Sequence, residues 1–250
     1  MLTQPTLEKL EALKLYAMAE AWIQQQKNAE VCKLSFDERL GLLVDAESLA
    51  RENARMARFL KEAKLRLSNA CIEDIDYAAR RELDKSLVRQ LAACRWTQEK
   101  QNIVITGATG TGKTYVACAL AQQACRKGYR ALYRRAPRLF EELALAHADG
   151  SYVRLLEKLA RIDVLVLDDW ALAPPKEQER RDLLELLEDR YSLRSTVIAS
   201  QLPTAKWHDY VGDPTVADAI CDRILHNAHR ILLKGPSRRK QNAGSQEPTA

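Results

Sequence analysis

The chain has 250 residues, with 39 Lys and Arg against 34 Asp and Glu, a formal net charge of +5 and 46% hydrophobic residues. That length holds one α/β domain with a smaller companion, and the mild basicity permits a nucleic-acid partner without requiring one. No apolar stretch is long enough to span a bilayer, the acid-bearing N-terminus MLTQPTLEKLEALKL fits neither a signal nor a transit peptide, and six cysteines without a C-x-x-C pair point to free thiols in a reducing cytoplasm, not a disulfide scaffold or a zinc site.

Residues 1–68 are expected to form an all-helical domain. Leu7, Leu10, Leu13, Ala17 and Met18 make one apolar stripe, and Ser35 with Glu38 fits a capping box that opens a second helix running toward Leu65. Arg51, Arg55 and Arg58 share a face of that helix, interleaved with Glu47, Glu52 and Glu62. Such a pattern suits either a solvated, ion-paired face or a DNA contact. Residues 69–100 are expected to be a helical connector, with a helix from Ala78 to Trp96 carrying Leu83, Leu87, Val88 and Leu91.

A second, α/β domain is expected over residues 101–240. Asn102 to Thr106 reads as a buried strand running into Gly107-Ala108-Thr109-Gly110-Thr111-Gly112-Lys113-Thr114, a full G-x-x-x-x-G-K-T phosphate loop, and the segment from Tyr115 to Lys127 reads as the helix leaving it. Glycines let backbone N–H groups turn toward phosphate oxygens, and the helix N-terminus adds positive potential. The expected nucleotide contacts are Gly107, Thr109, Gly110, Thr111, Gly112, Lys113, Thr114 and Tyr115, with Lys113 on the β- and γ-phosphates of ATP and the Thr114 hydroxyl on Mg²⁺.

The apolar run Val164 to Leu167 ends in Asp168-Asp169. So short and apolar a run suits a parallel strand covered on both faces, and its C-terminal acids would lie at the ligand mouth of the sheet. Asp168 takes the Walker B role of orienting Mg²⁺, and Asp169 polarises the attacking water. Strands expected at 131–134, 196–200 and 230–233 alternate with helices expected at 137–147, 152–159, 177–192 and 214–225, which argues for a parallel sheet between helices. One strand–helix unit lies between the phosphate-loop strand and the Walker B strand, as in the ATPase branch that inserts an extra strand there. Gln201, with Ser200 second, is then the candidate γ-phosphate sensor.

Arg223 is the candidate arginine finger, acting in trans, with Arg230 and Arg238 as competitors. A finger in trans implies a homo-oligomer. No acid lies between Lys113 and Arg138, and Arg134, Arg135 and Arg138 in this block are candidate contacts to a DNA backbone. Residues 241–250 are polar and expected to be disordered, and the chain has no room for a C-terminal helical lid.

The segments NIVITGATGTGKTYVACAL, VLVLDDWALAP, RYSLRSTVIASQLP and ADAICDRILHNAHRILLKGPSRR resemble the IstB-type transposition helper ATPases of insertion sequences in the IS21 group. These belong to the AAA+ superfamily and are close to helicase loaders of the DnaC and DnaI kind. The resemblance implies an AAA+ core that binds ATP with Mg²⁺, hydrolyses it, and assembles on duplex DNA without strong sequence preference. It also implies that the protein assists a cognate transposase, the helical N-terminal domain serving oligomerisation and DNA or partner contact. A replicative helicase loader, and a DNA-binding scaffold with little turnover, are the alternatives. Two departures stand out: Asp169 where AAA+ proteins generally carry Glu, and Ser237-Arg238-Arg239 where the family reads Ser-Tyr-Arg.

Overall fold

Strands in this chain alternate two kinds of apolar residue, and the two kinds face different helices. In a computed structural model describing residues 3–77 and 82–237, β1 (Asn102–Gly107), β2 (Ala131–Arg135), β3 (Val164–Trp170), β4 (Ser195–Ser200) and β5 (Ala228–Leu233) form one sheet in the order β2-β3-β4-β1-β5. Every strand pair is parallel. Ile103, Ile105, Tyr133, Val164, Val166, Val197 and Ala199 point to one face, against α7 (Lys113–Arg126). Their neighbours Val104, Leu132, Leu165, Leu167 and Ile198 point to the other. There they meet α8 (Ala136–Asp149), α9 (Tyr152–Ala160), α10 (Glu177–Arg190), α11 (Trp207–Val211) and α12 (Pro214–Leu225). The period-2 alternation of a strand thus makes two cores from one sheet, each buried side chain worth about 1.5–3 kcal/mol. Helix α7 buries Ala117, Cys118, Ala119, Ala121, Ala124 and Cys125, small side chains that suit close packing on the strands.

Contacts divide the chain into residues 1–58 and 59–250. In the first unit lie α1 (Thr3–Ala12), α2 (Tyr16–Lys27), α3 (Ala29–Cys32) and most of α4 (Phe36–Ala63). The capping box forms as expected: Glu38 accepts from the Ser35 backbone N–H at 2.9 Å, and the Ser35 hydroxyl accepts from Glu38 N–H at 3.3 Å. The single stripe expected over residues 7–18 is divided, because Lys14 takes a left-handed φ of 59° and breaks the chain between α1 and α2.

The segment expected to be a connector is part of the second unit's core. Ala70, Ile75, Leu83, Val88, Leu91 and Trp96 pack into the same cluster as β1 and α7. The helix expected over Ala78 to Trp96 is instead α5 (Lys85–Ala92) followed by the short α6 (Arg95–Gln98), and residues 78–81 lie outside the described residues. Asp84 caps α5 by accepting from Ser86 N–H, and Cys94, at φ 59°, ends its run. Expectations for 238–240 and the tail 241–250 also lie outside the described residues.

Two buried polar residues lock the strand ends away from the phosphate loop. Asn102, the first residue of β1, donates to the carbonyls of Arg223 (2.9 Å) and Ile224 (3.1 Å) and accepts from Thr196 N–H (2.9 Å). Arg190, 1% exposed, donates to the carbonyls of Leu159, Ile162 and Ser195 and to the Thr196 hydroxyl. Burial pushes its guanidinium down to about 9. The cost of burying that charge is offset by its hydrogen bonds to four buried acceptors.

Candidate active site

The phosphate loop joins the C-terminal end of β1 to the N-terminus of α7. Gly110 and Gly112 sit at φ 83° and 97°, the left-handed region that glycine enters without strain. Gly110 also makes room: a Cβ there would fall 2.1 Å from the hydroxyl oxygen of Ser237, in the segment leaving β5. A Cβ on Gly107 would fall 2.3 Å from the Leu233 carbonyl oxygen. The Thr111 hydroxyl donates to Ala108 O at 2.8 Å, and the Lys113 ammonium donates to Gly107 O (2.8 Å) and Ala108 O (2.9 Å), holding the cation over its own loop. Tyr115 follows in the first turn of α7, where burial raises its phenol above the ordinary value.

Opposite the loop, β3 delivers its two acids through an irregularity. Its pairing with β4 shifts register between Leu167 and Trp170, and Asp169 takes φ 55°. A bulge of this kind re-aims side chains at a strand end, at a cost of about 1–3 kcal/mol for the left-handed residue. Asp168 is 1% exposed. Its Oδ2 accepts from the Thr114 hydroxyl at 2.8 Å and from the Tyr133 phenol at 2.6 Å, and its Oδ1 accepts from Asp169 N–H at 2.9 Å. Burial and the hydrogen bond to Asp168 push the Tyr133 phenol far above its ordinary value, so it stays a donor. Asp169 receives Arg135 Nε at 2.6 Å, with Arg66 at 3.7 Å from the same oxygen. Beside Asp169, Pro137, Phe140, Leu172 and Tyr210 line a cavity of about 290 Å³.

The sensor candidate also lies here. The Thr109 hydroxyl donates to Gln201 Oε1 at 2.7 Å, joining the residue after β4 to the loop. Ser200 is buried and committed elsewhere, donating to Trp170 O and accepting from Leu202 N–H. Phosphate loop, both acids and Gln201 therefore share one end of the sheet, as the motif spacing predicts.

Arg223 does not. Its backbone adjoins Asn102, the opposite end of β1 from Gly107, roughly 17 Å away at 3.3 Å per residue. Its guanidinium pairs with Glu188 and donates to Ala219 O at 3.0 Å. Arg230 lies exposed on β5, and Arg238 is outside the described residues.

The basic residues have company that chain order hides. Arg134 pairs with Glu142 (3.0 Å), Arg135 with Asp169, and Arg138 with Glu141 (2.9 Å). Arg126 pairs with Glu73 and Arg130 with Glu62. The block between Lys113 and Arg138 is of one sign in sequence and mixed in space. In the first unit Arg51 pairs with Glu47 at 2.7 Å, while Arg55 and Arg58 are exposed. Arg66 and Tyr133 escaped the sequence reasoning. Arg66 sat in a stretch assigned to the helical domain, and Tyr133 looked like an ordinary core residue of a strand.

No helix among the described residues is long and apolar enough to cross a membrane. No group of three or more His, Cys, Asp or Glu that could hold a metal exists among them. The donors available, a hydroxyl and one buried carboxylate, are hard oxygens. They fit Mg²⁺ held largely by nucleotide phosphates and water, not an all-protein cage.

The family model for IstB-like ATP binding proteins matches residues 8–246. The chain belongs to this family. The putative insertion sequence ATP-binding protein y4pL of Sinorhizobium fredii is 49% identical over 240 residues, covering 96% of this chain and 98% of that one. The putative ATP-binding protein of insertion sequence IS1162 from Pseudomonas fluorescens is 50% identical over 205 residues, covering 82% and 89%. Among solved structures, DnaI matches with TM-score 0.56 and 20% identity over 71% of this chain and 94% of that one. AMPPCP-bound DnaA from Aquifex aeolicus matches with TM-score 0.57 and 21% identity over 71% and 54%. The fold is that of the AAA+ phosphate-loop domains, and the IstB-like chain is an ATP-binding protein of the insertion-sequence kind.

Proposed function

We propose that this IstB-like protein is a Mg²⁺-dependent ATPase that assembles as a homo-oligomer on duplex DNA and assists the transposase of its insertion sequence. The observation that carries the ATPase reading is the hydrogen bond from Thr114 to Asp168, which joins the phosphate loop to the Walker B strand. Thr114 and Asp168 would hold Mg²⁺, which supplies charge neutralisation on the β- and γ-phosphates. Lys113 binds the same phosphates, and Gln201, resting on Thr109, meets the terminal one.

Asp169 takes the proton of the attacking water. It is engaged by Arg135, so the hydrolytic form requires that guanidinium to move aside. Arg223, remote from its own loop, serves the site of a second copy. Sequence-nonspecific contact to a DNA backbone is assigned to Arg51, Arg55 and Arg58 and to Arg134, Arg135 and Arg138. Arg51, Arg134, Arg135 and Arg138 exchange a carboxylate for a phosphate on binding.

The insertion-sequence relatives favour the transposition role over a helicase loader. The deciding measurement is ATPase rate and particle mass with no DNA, single-stranded DNA and duplex DNA at one salt concentration. Duplex-stimulated turnover with large ATP-dependent particles is expected. A response to single strands alone moves the assignment to a helicase loader, and assembly without turnover moves it to a scaffold.

A further inference from the structure

Tyr133 is the third residue of β2, and its ring lies in the core that the sheet shares with α7. That face does not call for a hydroxyl, since Ile103, Val166 and Val197 fill their positions with hydrocarbon. Burying a hydroxyl costs free energy unless it finds a partner. Tyr133, 6% exposed, finds one in a carboxylate. It stands level with Val166 on β3, and Asp168 follows two residues on, on the same face and roughly 7 Å further along at about 3.3 Å per residue. The phenol covers that distance, and its hydroxyl donates to Asp168 Oδ2 at 2.6 Å. Phenylalanine would fill the same core space and leave the carboxylate one donor short.

An ionised carboxylate has about four lone-pair sites. Both sites of Oδ2 are taken, by the Thr114 hydroxyl at 2.8 Å and by Tyr133, and one of Oδ1 is taken by Asp169 N–H at 2.9 Å. Among the described residues this leaves one site, on Oδ1. With all three bonds standing, Asp168 can offer only that oxygen to a cation. Thr114 belongs to the phosphate loop and moves with it, whereas the Tyr133 ring is packed in the core. The phenol therefore fixes the carboxylate independently of the loop, as partners outside a metal's own ligands commonly do.

We propose that Tyr133 is a positioning residue for the nucleotide-bound metal, its phenol holding the Asp168 carboxylate so that Oδ1 alone is offered to the cation. This rests on the Mg²⁺–ATP reading above and goes beyond it, because Tyr133 belongs neither to the phosphate loop nor to the acid pair.

The test compares full-length wild type, Tyr133→Phe and Tyr152→Phe. The last removes a phenol–carboxylate bond of the same kind, from Tyr152 to Glu185 at 2.7 Å, between α9 and α10. Each protein is titrated with a fluorescent ATP analogue in Mg²⁺ and in EDTA, and the quantity read is the ratio of the two affinities. In Tyr133→Phe the gain that Mg²⁺ brings should fall about tenfold while affinity in EDTA stays within about threefold, the range seen when a ligand's supporting partner is removed. Tyr152→Phe should keep the wild-type ratio.

A Tyr133→Phe protein with the full Mg²⁺ gain overturns the proposal. So does one that loses equally in Mg²⁺ and in EDTA, which would mark the phenol as a packing group, and so does an equal loss of the gain in Tyr152→Phe. Thermal melts identify a variant that does not fold, and Tyr133→Met, which also lacks the hydroxyl, then replaces Tyr133→Phe. Wild-type protein that gains from Mg²⁺ but shows no turnover under any DNA condition refutes the ATPase reading and leaves the role of Tyr133 standing. A wild type whose affinity ignores Mg²⁺ overturns both.

Discussion

The two units of this chain hold themselves together by different means. Residues 59–237 build two dense clusters on a five-stranded sheet, with Trp96, Trp170, Trp207 and Arg190 fully buried. In residues 3–58 Ala19 is the one buried apolar side chain among the described residues, and Gln25 and Glu47 are the other buried ones. Leu13, Tyr16, Phe36, Leu40, Leu42, Val44 and Leu49 of that unit are exposed. A sheet covered on both faces satisfies its own apolar surface, whereas a few helices with apolar residues pointing outward leave theirs to other molecules. The phosphate loop and the two acids of β3 belong to the self-sufficient unit.

The contrast between the two units can be tested residue by residue. The largest effect is expected from Arg223→Ala, which should lower turnover on the order of a thousandfold while leaving ATP affinity intact. Mixing it with Asp169→Asn protein should restore part of the rate, and no recovery would place the finger elsewhere. Next is Arg190→Ala, which removes one donor from each of three buried carbonyls and should destabilise the second unit by about 3 kcal/mol in a denaturant melt. A loss below about 1 kcal/mol would mean that the sheet base tolerates open acceptors.

For the helical unit, Leu49→Asp changes a residue 60% exposed. It should cut the ATP-dependent particle mass while leaving the melt of the second unit within about 0.5 kcal/mol of wild type. Charge reversal at Arg55 and separately at Arg138 compares the two units as DNA contacts. Each true phosphate contact removed should lower the slope of log affinity against log salt by about 0.9, and an unchanged slope marks a solvated residue. The smallest effect is chemical. Burial pushes the thiols of Cys94, Cys118 and Cys125 up to about 11, whereas Cys32 is exposed. At pH 8 a thiol reagent should label Cys32 within minutes and those three only on unfolding; rapid labelling of Cys118 would show that α7 opens readily.

How much of this was legible beforehand depends on the range of the interaction. Gly107 to Thr114 and Asp168-Asp169 are local strings whose chemistry is written in adjacent residues, and strand periodicity then suffices to bring them together. Gln201 was accessible because a strand end inherits its place from the sheet. The pairing of Arg66 with Asp169 was not legible, since its members come from a loop and a strand far apart in the chain. Opposing charges were missed for the same reason. Glu62, Glu73, Glu142 and Asp169 lie outside the basic block and reach it only once the chain is folded. The division at Arg58 instead of residue 68 has the same origin: the last turn of α4 looks like more helix, yet Phe59 and Ala63 belong to the core beneath the sheet.

Asn102 carries a consequence for mixed populations. Its amide fastens the backbone of Arg223 and Ile224 to the first residue of the strand whose far end is the phosphate loop. If Arg223 serves a neighbour, the part of each copy that gives and the part that receives are fastened to one short rod. A copy that loses this fastening at Asn102 would then fail twice, as donor to one neighbour and as acceptor from the other. In a cell holding several versions of the element, a minority of such copies would silence assemblies out of proportion to their number.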